Sequence, residues 1–147
     1  MENLFKGIHN LSLDSKGRLG IPITYRDHIM GLLKGSMVIT IETEERCLLL
    51  YPSSVWSKIQ DKISKLPSFN KNARRIQRLL IGHAEDIDVD SSGRILISKP
   101  LREYASLSKK VILIGQGEKF EIWNQGTWNE NVAVSYTHLR AHETRSD

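Results

Sequence analysis

The pentapeptide Asp-Ser-Lys-Gly-Arg at residues 14–18 returns as Asp-Ser-Ser-Gly-Arg at residues 90–94, 76 positions later. We call these the first motif and the second motif. The similarity extends upstream, where both copies alternate polar and apolar side chains in step, and downstream, where both are mostly apolar. A duplicated unit predicts a pseudo-symmetric body that presents the same chemistry twice.

Each copy is predicted to run strand, tight turn, strand, helix, strand, turn, strand, helix. Alternation of polar and apolar residues predicts a pair of strands around each motif. Pro22 and Ser98 follow these strands and are typical of a helix start. The predicted strands are 10–14, 18–21, 37–41, 47–51, 86–90, 94–97, 111–115 and 119–123, and the predicted helices are 22–33, 52–66, 68–83 and 98–107.

The domain organisation follows from the repeat. A unit of about 50 residues has too little core to be stable alone, and its short strands would leave unpaired edges. We therefore expect an α+β fold in which two repeats pack about a pseudo-two-fold axis into one closed β-barrel with short flanking helices. The expected segments are a first repeat at 5–66, a basic linker helix at 67–83, a second repeat at 84–130 and a tail at 131–147. The tail matches neither repeat and resembles translated adapter sequence, so it is expected to be non-native or disordered.

The composition of the 147 residues sets limits on compartment and partner. The net charge of +4 is too small to indicate a nucleic-acid partner by itself. Residues 67–83 carry 4 basic side chains and no acidic one, which makes the linker the most positive segment. No apolar run approaches the roughly 20 residues of a membrane span. Cys47 is the single cysteine, so no internal disulfide is expected and a cytoplasmic location is favoured.

The chemistry of the motif allows two interpretations. In the first, Asp14 accepts backbone N–H groups of the turn, Gly17 takes a left-handed conformation, and Arg18 pairs with Asp14. The motif would then be a stabilised hairpin, with a surface ion pair that contributes about 0–1 kcal/mol. In the second, the aspartate orients the arginine, whose planar guanidinium fits a phosphate or a guanine edge. Lys16 at the turn tip would then contact a phosphate, and a two-stranded ribbon is narrow enough for the DNA major groove.

With its surroundings, the doubled motif resembles the MraZ family over about residues 4–130. The matching surroundings are Phe5-Lys6-Gly7, Leu13, Leu19, Ile21-Pro22, Tyr25-Arg26, Arg74-Arg75, Ala84-Glu85, Ile95 and Leu101-Arg102-Glu103-Tyr104. The resemblance implies a bacterial DNA-binding regulator built from two SpoVT/AbrB-like swapped-hairpin units.

The same resemblance implies partners and a site. Members of the family bind short direct repeats upstream of their own division and cell-wall gene cluster and assemble into rings. The expected partners are therefore double-stranded DNA and further copies of the chain, with a nucleoid-associated location. The implied DNA-binding residues are Asp14, Arg18, Asp90 and Arg94, with Lys16, Arg26 and Arg102 as weaker candidates. If one motif dominates DNA contact, we expect it to be the first, because the second has Ser92 where the first has Lys16.

Other functions have less support from the sequence. Asp86, Asp88 and Asp90 are spaced as in a calcium loop, but Ser91 and Ile97 stand where an EF-hand needs Gly and Glu, so no metal is expected. No catalytic set or Gly-rich phosphate loop is present, so neither an enzyme nor a cofactor is expected. The alternative to a DNA regulator is an oligomeric protein-interaction module or an AbrB-type antitoxin.

Overall fold

The computed structural model describes residues 5–31 and 34–146, and over these ranges the chain forms eight strands and five α-helices. The strands are β1 (Phe5–Ser12), β2 (Arg18–Gly20), β3 (Ser36–Ile41), β4 (Leu48–Pro52), β5 (Glu85–Asp88), β6 (Arg94–Leu96), β7 (Lys110–Gly117) and β8 (Phe120–Asn124). The helices are α1 (Ile23–Gly31), α2 (Ser53–Ser64), α3 (Lys71–Ile76), α4 (Lys99–Tyr104) and α5 (Gln125–Ser146). The predicted α+β class is confirmed.

The strands form two antiparallel sheets. Six strands pair in the order β1-β7-β8-β4-β3-β5, and β2 pairs with β6 in a separate two-stranded sheet. Within the described residues this order ends at β1 and β5 without closing on itself, so the pairings do not form the expected closed barrel. Strands β2 and β6 have three residues each and pair with each other. They therefore form a separate sheet and do not connect β1 to β5, which closure of the barrel would require. A single bridge between Leu13 and Leu19 joins β2 to the chain that leaves β1.

The strand order exchanges elements between the two halves of the chain. The first strand of each half pairs with the third strand of the other half, as β1 does with β7 and β5 with β3. The two inner hairpins meet where β4 pairs with β8. The six-stranded order is therefore unchanged when β1 is swapped with β5, β3 with β7 and β4 with β8.

One hydrophobic cluster joins both halves of the chain and supports the two-stranded ribbon formed by β2 and β6. Leu19 from β2 and Ile95 from β6 face each other in the register, and both are fully buried. They pack in the same cluster as Ile39 from β3 and Leu113 from β7. Burial of four such side chains stabilises the fold by about 1.5–3 kcal/mol each. The ribbon that carries both motifs is thus fixed on the main core.

A second cluster covers the opposite face of the six-stranded sheet. Because side chains alternate along a strand, Val38, Leu49 and Tyr51 point away from the main core. They pack against Trp56 of α2 and against the partly buried Leu80 of the linker. Helix α2 and the linker therefore lie on the sheet face opposite the ribbon.

The linker between the halves is helical, but not uniformly so. Asn70 caps α3, since its side-chain oxygen accepts hydrogen bonds from the backbone N–H groups of Asn72 and Ala73 at 2.9 and 3.1 Å. A π-helical turn, Gln77–Ile81, continues α3. The buried Thr40 hydroxyl donates to the Leu80 carbonyl at 2.7 Å, which ties this turn to β3.

The end of α4 differs from the sequence prediction. Helix α4 stops at Tyr104 rather than at residue 107, because Ser106 takes a left-handed conformation with φ 53° that ends the helix. Residues 131–146, where the sequence predicts a non-native or disordered tail, lie in α5. That the segment is non-native stays a prediction. None of the described helices is both long and apolar enough to cross a membrane.

Candidate nucleic-acid interface

The first motif is a turn held together by one carboxylate. One oxygen of Asp14 accepts hydrogen bonds from the backbone N–H groups of Lys16 and Arg18 at 2.9 and 2.8 Å. The other oxygen accepts the Nε–H of Arg18 at 2.8 Å. Gly17 takes the left-handed conformation that the turn requires, with φ +87°. The carboxylate therefore fixes both the backbone and the guanidinium of Arg18.

These hydrogen bonds shift the protonation of Asp14. The backbone N–H of Arg18 contributes most to a lowering of the carboxyl pKa from 3.8 to about 2, with further lowering from the Arg18 side chain and the Lys16 N–H. Partial desolvation opposes the shift. Asp14 is thus an anion at neutral pH, and its charge is already engaged inside the motif.

The second motif repeats the backbone geometry with a looser ion pair. Asp90 accepts from the N–H groups of Ser92 and Arg94 at 2.8 and 2.9 Å, and Gly93 has φ +77°. The Arg94 backbone N–H is the largest cause of a lowered pKa of Asp90. However, the Nε of Arg94 lies 3.3 Å from the Asp90 carboxylate in poor hydrogen-bond alignment, although this nitrogen is shielded from solvent. The Arg94 side chain is therefore less firmly anchored than that of Arg18.

The ribbon places both motif arginines on one exposed face. In the β2–β6 register, Arg18 lies opposite Leu96 and Arg94 lies opposite Gly20. Since Leu19 and Ile95 between them point into the core, all four of these residues face outward. Arg18 and Arg94 keep 31% and 37% of their side-chain surface exposed. The structure thus brings together the two arginines that lie 76 positions apart in the sequence.

Arg26 and Arg102 contact the motif of the opposite half. The Nε–H of Arg26 donates to the Ile21 carbonyl at 2.6 Å, and that of Arg102 donates to the Ile97 carbonyl at 3.0 Å. A Cβ placed on Gly93 would clash with Arg26 Nε, and one placed on Gly17 would lie 2.8 Å from Arg102 Nε. Each arginine therefore packs against the turn glycine of the motif in the other half of the chain.

This reciprocal packing was not found by reasoning from the sequence. Backbone bonds accompany it, since Ile21 donates to the Gly93 carbonyl at 2.8 Å and Ile97 donates to the Gly17 carbonyl at 2.9 Å. A sequence pattern does mark these two arginines, because Tyr-Arg-Asp at 25–27 and Leu-Arg-Glu at 101–103 recur at the same distance from the two motifs. It pointed to Arg26 and Arg102 as members of the site but not to contacts between halves.

The surroundings of the two motifs differ in charge. Lys16 is exposed at the tip of the first turn, where the second turn has the exposed, neutral Ser92. Within the described residues, no three His, Cys, Asp or Glu side chains are grouped as metal ligands would be. What the arrangement offers chemically is a rigid face of oriented guanidinium groups with an additional lysine at one end.

Comparison with known proteins gives matches along almost the whole chain. A model of the family described as "MraZ protein, putative antitoxin-like" matches residues 4–79 and again residues 80–147. The protein named transcriptional regulator MraZ in Legionella pneumophila (strain Corby) is 54% identical over 125 residues, covering 85% of this chain and 82% of the relative.

Two further relatives carry the same name. That of Alkalilimnicola ehrlichii is 50% identical over 127 residues, covering 86% of this chain and 85% of the relative. That of Nitrosomonas europaea is 49% identical over 135 residues, covering 92% of this chain and 90% of the relative. With a family model matched once in each half and about 50% identity to these relatives, the chain belongs to the MraZ family.

Proposed function

We propose that the chain is a DNA-binding transcriptional regulator that uses the β2–β6 ribbon as its reading surface. The observation that carries the proposal is the outward-facing pair Arg18 and Arg94, each positioned by an aspartate four residues earlier. Relatives named as transcriptional regulators along more than four-fifths of their length support the same function. Catalysis is no part of it, because the family is one of regulators.

The ribbon suits a groove of double-stranded DNA. Two strands are narrow enough for the major groove, and an arginine fork can bind guanine through two parallel hydrogen bonds. Asp14 and Asp90 lie against the Nε of their arginines, and in this proposal the terminal nitrogens of each fork contact the DNA. Lys16 at the turn tip supplies a phosphate contact. Arg26 and Arg102 support the site by holding the two turns, with their terminal nitrogens as further DNA donors.

The proposed architecture is a pseudo-two-fold pair of SpoVT/AbrB-like swapped-hairpin repeats around one shared core. The symmetric strand order and the reciprocal contacts of Arg26 and Arg102 support it. The proposed segments are 5–66 and 84–130 for the repeats and 67–83 for the linker. A chain with two matching motifs on one face is suited to DNA in which a short sequence recurs.

The proposed target is a set of short direct repeats upstream of the chain's own division and cell-wall gene cluster. A homo-oligomeric ring would engage several repeats at once, because the first bound subunit raises the effective concentration of the others. The protein would then act in the cytoplasm on the nucleoid. Sequencing of DNA captured with the protein in cells tests the target, and a lack of enrichment near its own gene would exclude it.

The test of the reading surface is Arg18→Ala. Loss of an arginine that reads a base weakens specific binding by roughly 1–3 kcal/mol and relaxes the preference at one position. The matched control is Arg78→Ala, which removes an exposed arginine from the linker on the other face of the sheet. Fluorescence anisotropy with the upstream DNA measures both variants. Equal affinity of Arg18→Ala and wild type, with folding intact, would disprove the assignment.

The second candidate function is that of an interaction module or an AbrB-type antitoxin, which the family description favours. In that case the ring would bind another protein and DNA binding would be secondary. Co-purification of a partner without salt-sensitive retention on DNA would support this candidate over the first.

A further inference from the structure

A cavity of about 450 Å³ opens beside the first motif and draws its walls from both halves of the chain. Its lining residues are Leu13, Asp14, Ser15, Arg102, Leu107, Ser108 and Lys109. The first three lead into the first motif, and the other four come from α4 and the segment between α4 and β7. None of the sequence patterns singled out Ser108 or Lys109.

The two cations of the cavity are brought there by the backbone. The Lys109 carbonyl accepts a hydrogen bond from the Leu13 N–H at 2.8 Å, which holds Lys109 next to the strand that enters the motif. Arg102 is positioned by the bond from its Nε–H to the Ile97 carbonyl at 3.0 Å. Among the described residues, no carboxylate forms an ion pair with either side chain, and Asp14 is already paired with Arg18. The cavity is therefore lined by two positive side chains and by one carboxylate whose charge is already paired with Arg18.

The second motif differs at the corresponding place. There the N–H of Val89 donates to the carbonyl of Gly35 at 2.9 Å, as Leu13 does to Lys109. Gly35 has no side chain, and the adjoining Lys34 corresponds in turn to Ser108. The lysine therefore stands one position earlier beside the second motif, at Lys34, than beside the first, at Lys109.

We propose that this cavity receives a backbone phosphate of the DNA bound by the first motif and that Lys109 is its main ligand. The inference rests on the proposed function. It adds to the first motif a DNA contact made by a residue from the second half of the same chain. The cavity lies beside the turn rather than on the outward ribbon face, so its ligand is the DNA backbone and not a base edge. Arg102, Ser15 and Ser108 are placed to supply further donors to the same phosphate.

Lys109→Ala tests the contact through its salt dependence. Loss of one phosphate contact lowers the slope of log K against log salt by about 0.9 for each subunit engaged, while the sequence preference stays the same. Between 50 and 200 mM salt, wild type would therefore lose roughly 3-fold more affinity per engaged subunit than the variant. Lys109→Arg should retain the slope. Lys58→Ala is the control, since it removes an exposed lysine from α2 on the opposite face of the sheet.

A second arm identifies the phosphate itself. Single methylphosphonate substitutions along the upstream DNA remove one phosphate charge at a time. Substitution at one position should weaken DNA binding by the wild-type protein severalfold and leave the affinity of Lys109→Ala unchanged. Inorganic phosphate alone should show no Lys109-dependent binding at millimolar concentration. An unchanged salt slope in Lys109→Ala, or Lys109-dependent binding of free phosphate without a sensitive DNA position, would overturn the inference. The proposed function fails separately, if wild type itself shows no specific DNA binding.

Discussion

The packing of Arg102 against Gly17 allows a quantitative prediction for Gly17→Ala. At φ +87° a residue with a Cβ carries a backbone strain of about 1–2 kcal/mol. The new Cβ would also lie 2.8 Å from Nε and 2.9 Å from Cζ of Arg102, and 3.0 Å from the Ile97 carbonyl oxygen. The guanidinium must move and lose its hydrogen bond to Ile97, which costs about 1 kcal/mol. The expected destabilisation is therefore about 2–3 kcal/mol.

Thermal unfolding followed by circular dichroism measures this cost as a fall in Tm on the order of 5–10 °C for a chain of this size. Gly31→Ala is the matched control, because among the described residues no atom outside its chain neighbours and its own helix backbone lies within 4 Å of a Cβ there, and its φ is outside the left-handed range. The control should be neutral or stabilise the protein by up to about 1 kcal/mol.

A double-mutant cycle isolates the contact between the halves. In an Arg102→Ala background the side-chain clash and the lost hydrogen bond disappear, so Gly17→Ala should cost only the backbone strain of about 1–2 kcal/mol. An equal loss in both backgrounds would refute the packing of Arg102 on Gly17. A loss no larger than that of Gly31→Ala would refute the strained turn as well.

Two further predictions concern ionisation. Because the pKa of Asp14 is lowered to about 2, its contribution to stability is complete above pH ~4 and is lost as the pH falls toward 2. The difference in stability between wild type and Asp14→Asn, measured by thermal melts, should therefore close over that range. A difference that stays constant from pH 5 to 2 would contradict the anchoring role. Cys47 is fully buried and burial raises the pKa of its thiol, so a thiol-reactive dye should label native protein far more slowly than protein in denaturant, and equal rates would contradict the packing.

Local features of the site were predictable from the sequence because their contacts span few residues. The Asp14 carboxylate reaches N–H groups two and four positions along the chain, and the left-handed glycine follows from the same turn. The cap that Asn70 forms on the linker helix is a contact of the same short range. The early end of α4 was not predictable, because Ser106 is not a residue type that signals a left-handed conformation.

The closed barrel expected from the repeats is not formed by the strand pairings of the described residues. Strands of the two halves do pair, as β1 does with β7. The sequence does not fix how far the hydrogen-bonded ladder extends. That extent depends on the length of β2 and β6, which form only three register pairs and leave β1 and β5 at the ends of the larger sheet.

The sequence by itself determined the duplicated motif, its internal carboxylate–arginine geometry and, through resemblance, the family. Only the tertiary structure decided that Arg18 and Arg94 share one face, that Arg26 and Arg102 each hold the opposite turn, and that Lys109 stands beside the first motif. The reason is physical. A turn is fixed by contacts within a few residues, whereas pairing across 76 positions is selected by burial of Leu19 and Ile95 in a common core, which no local pattern specifies.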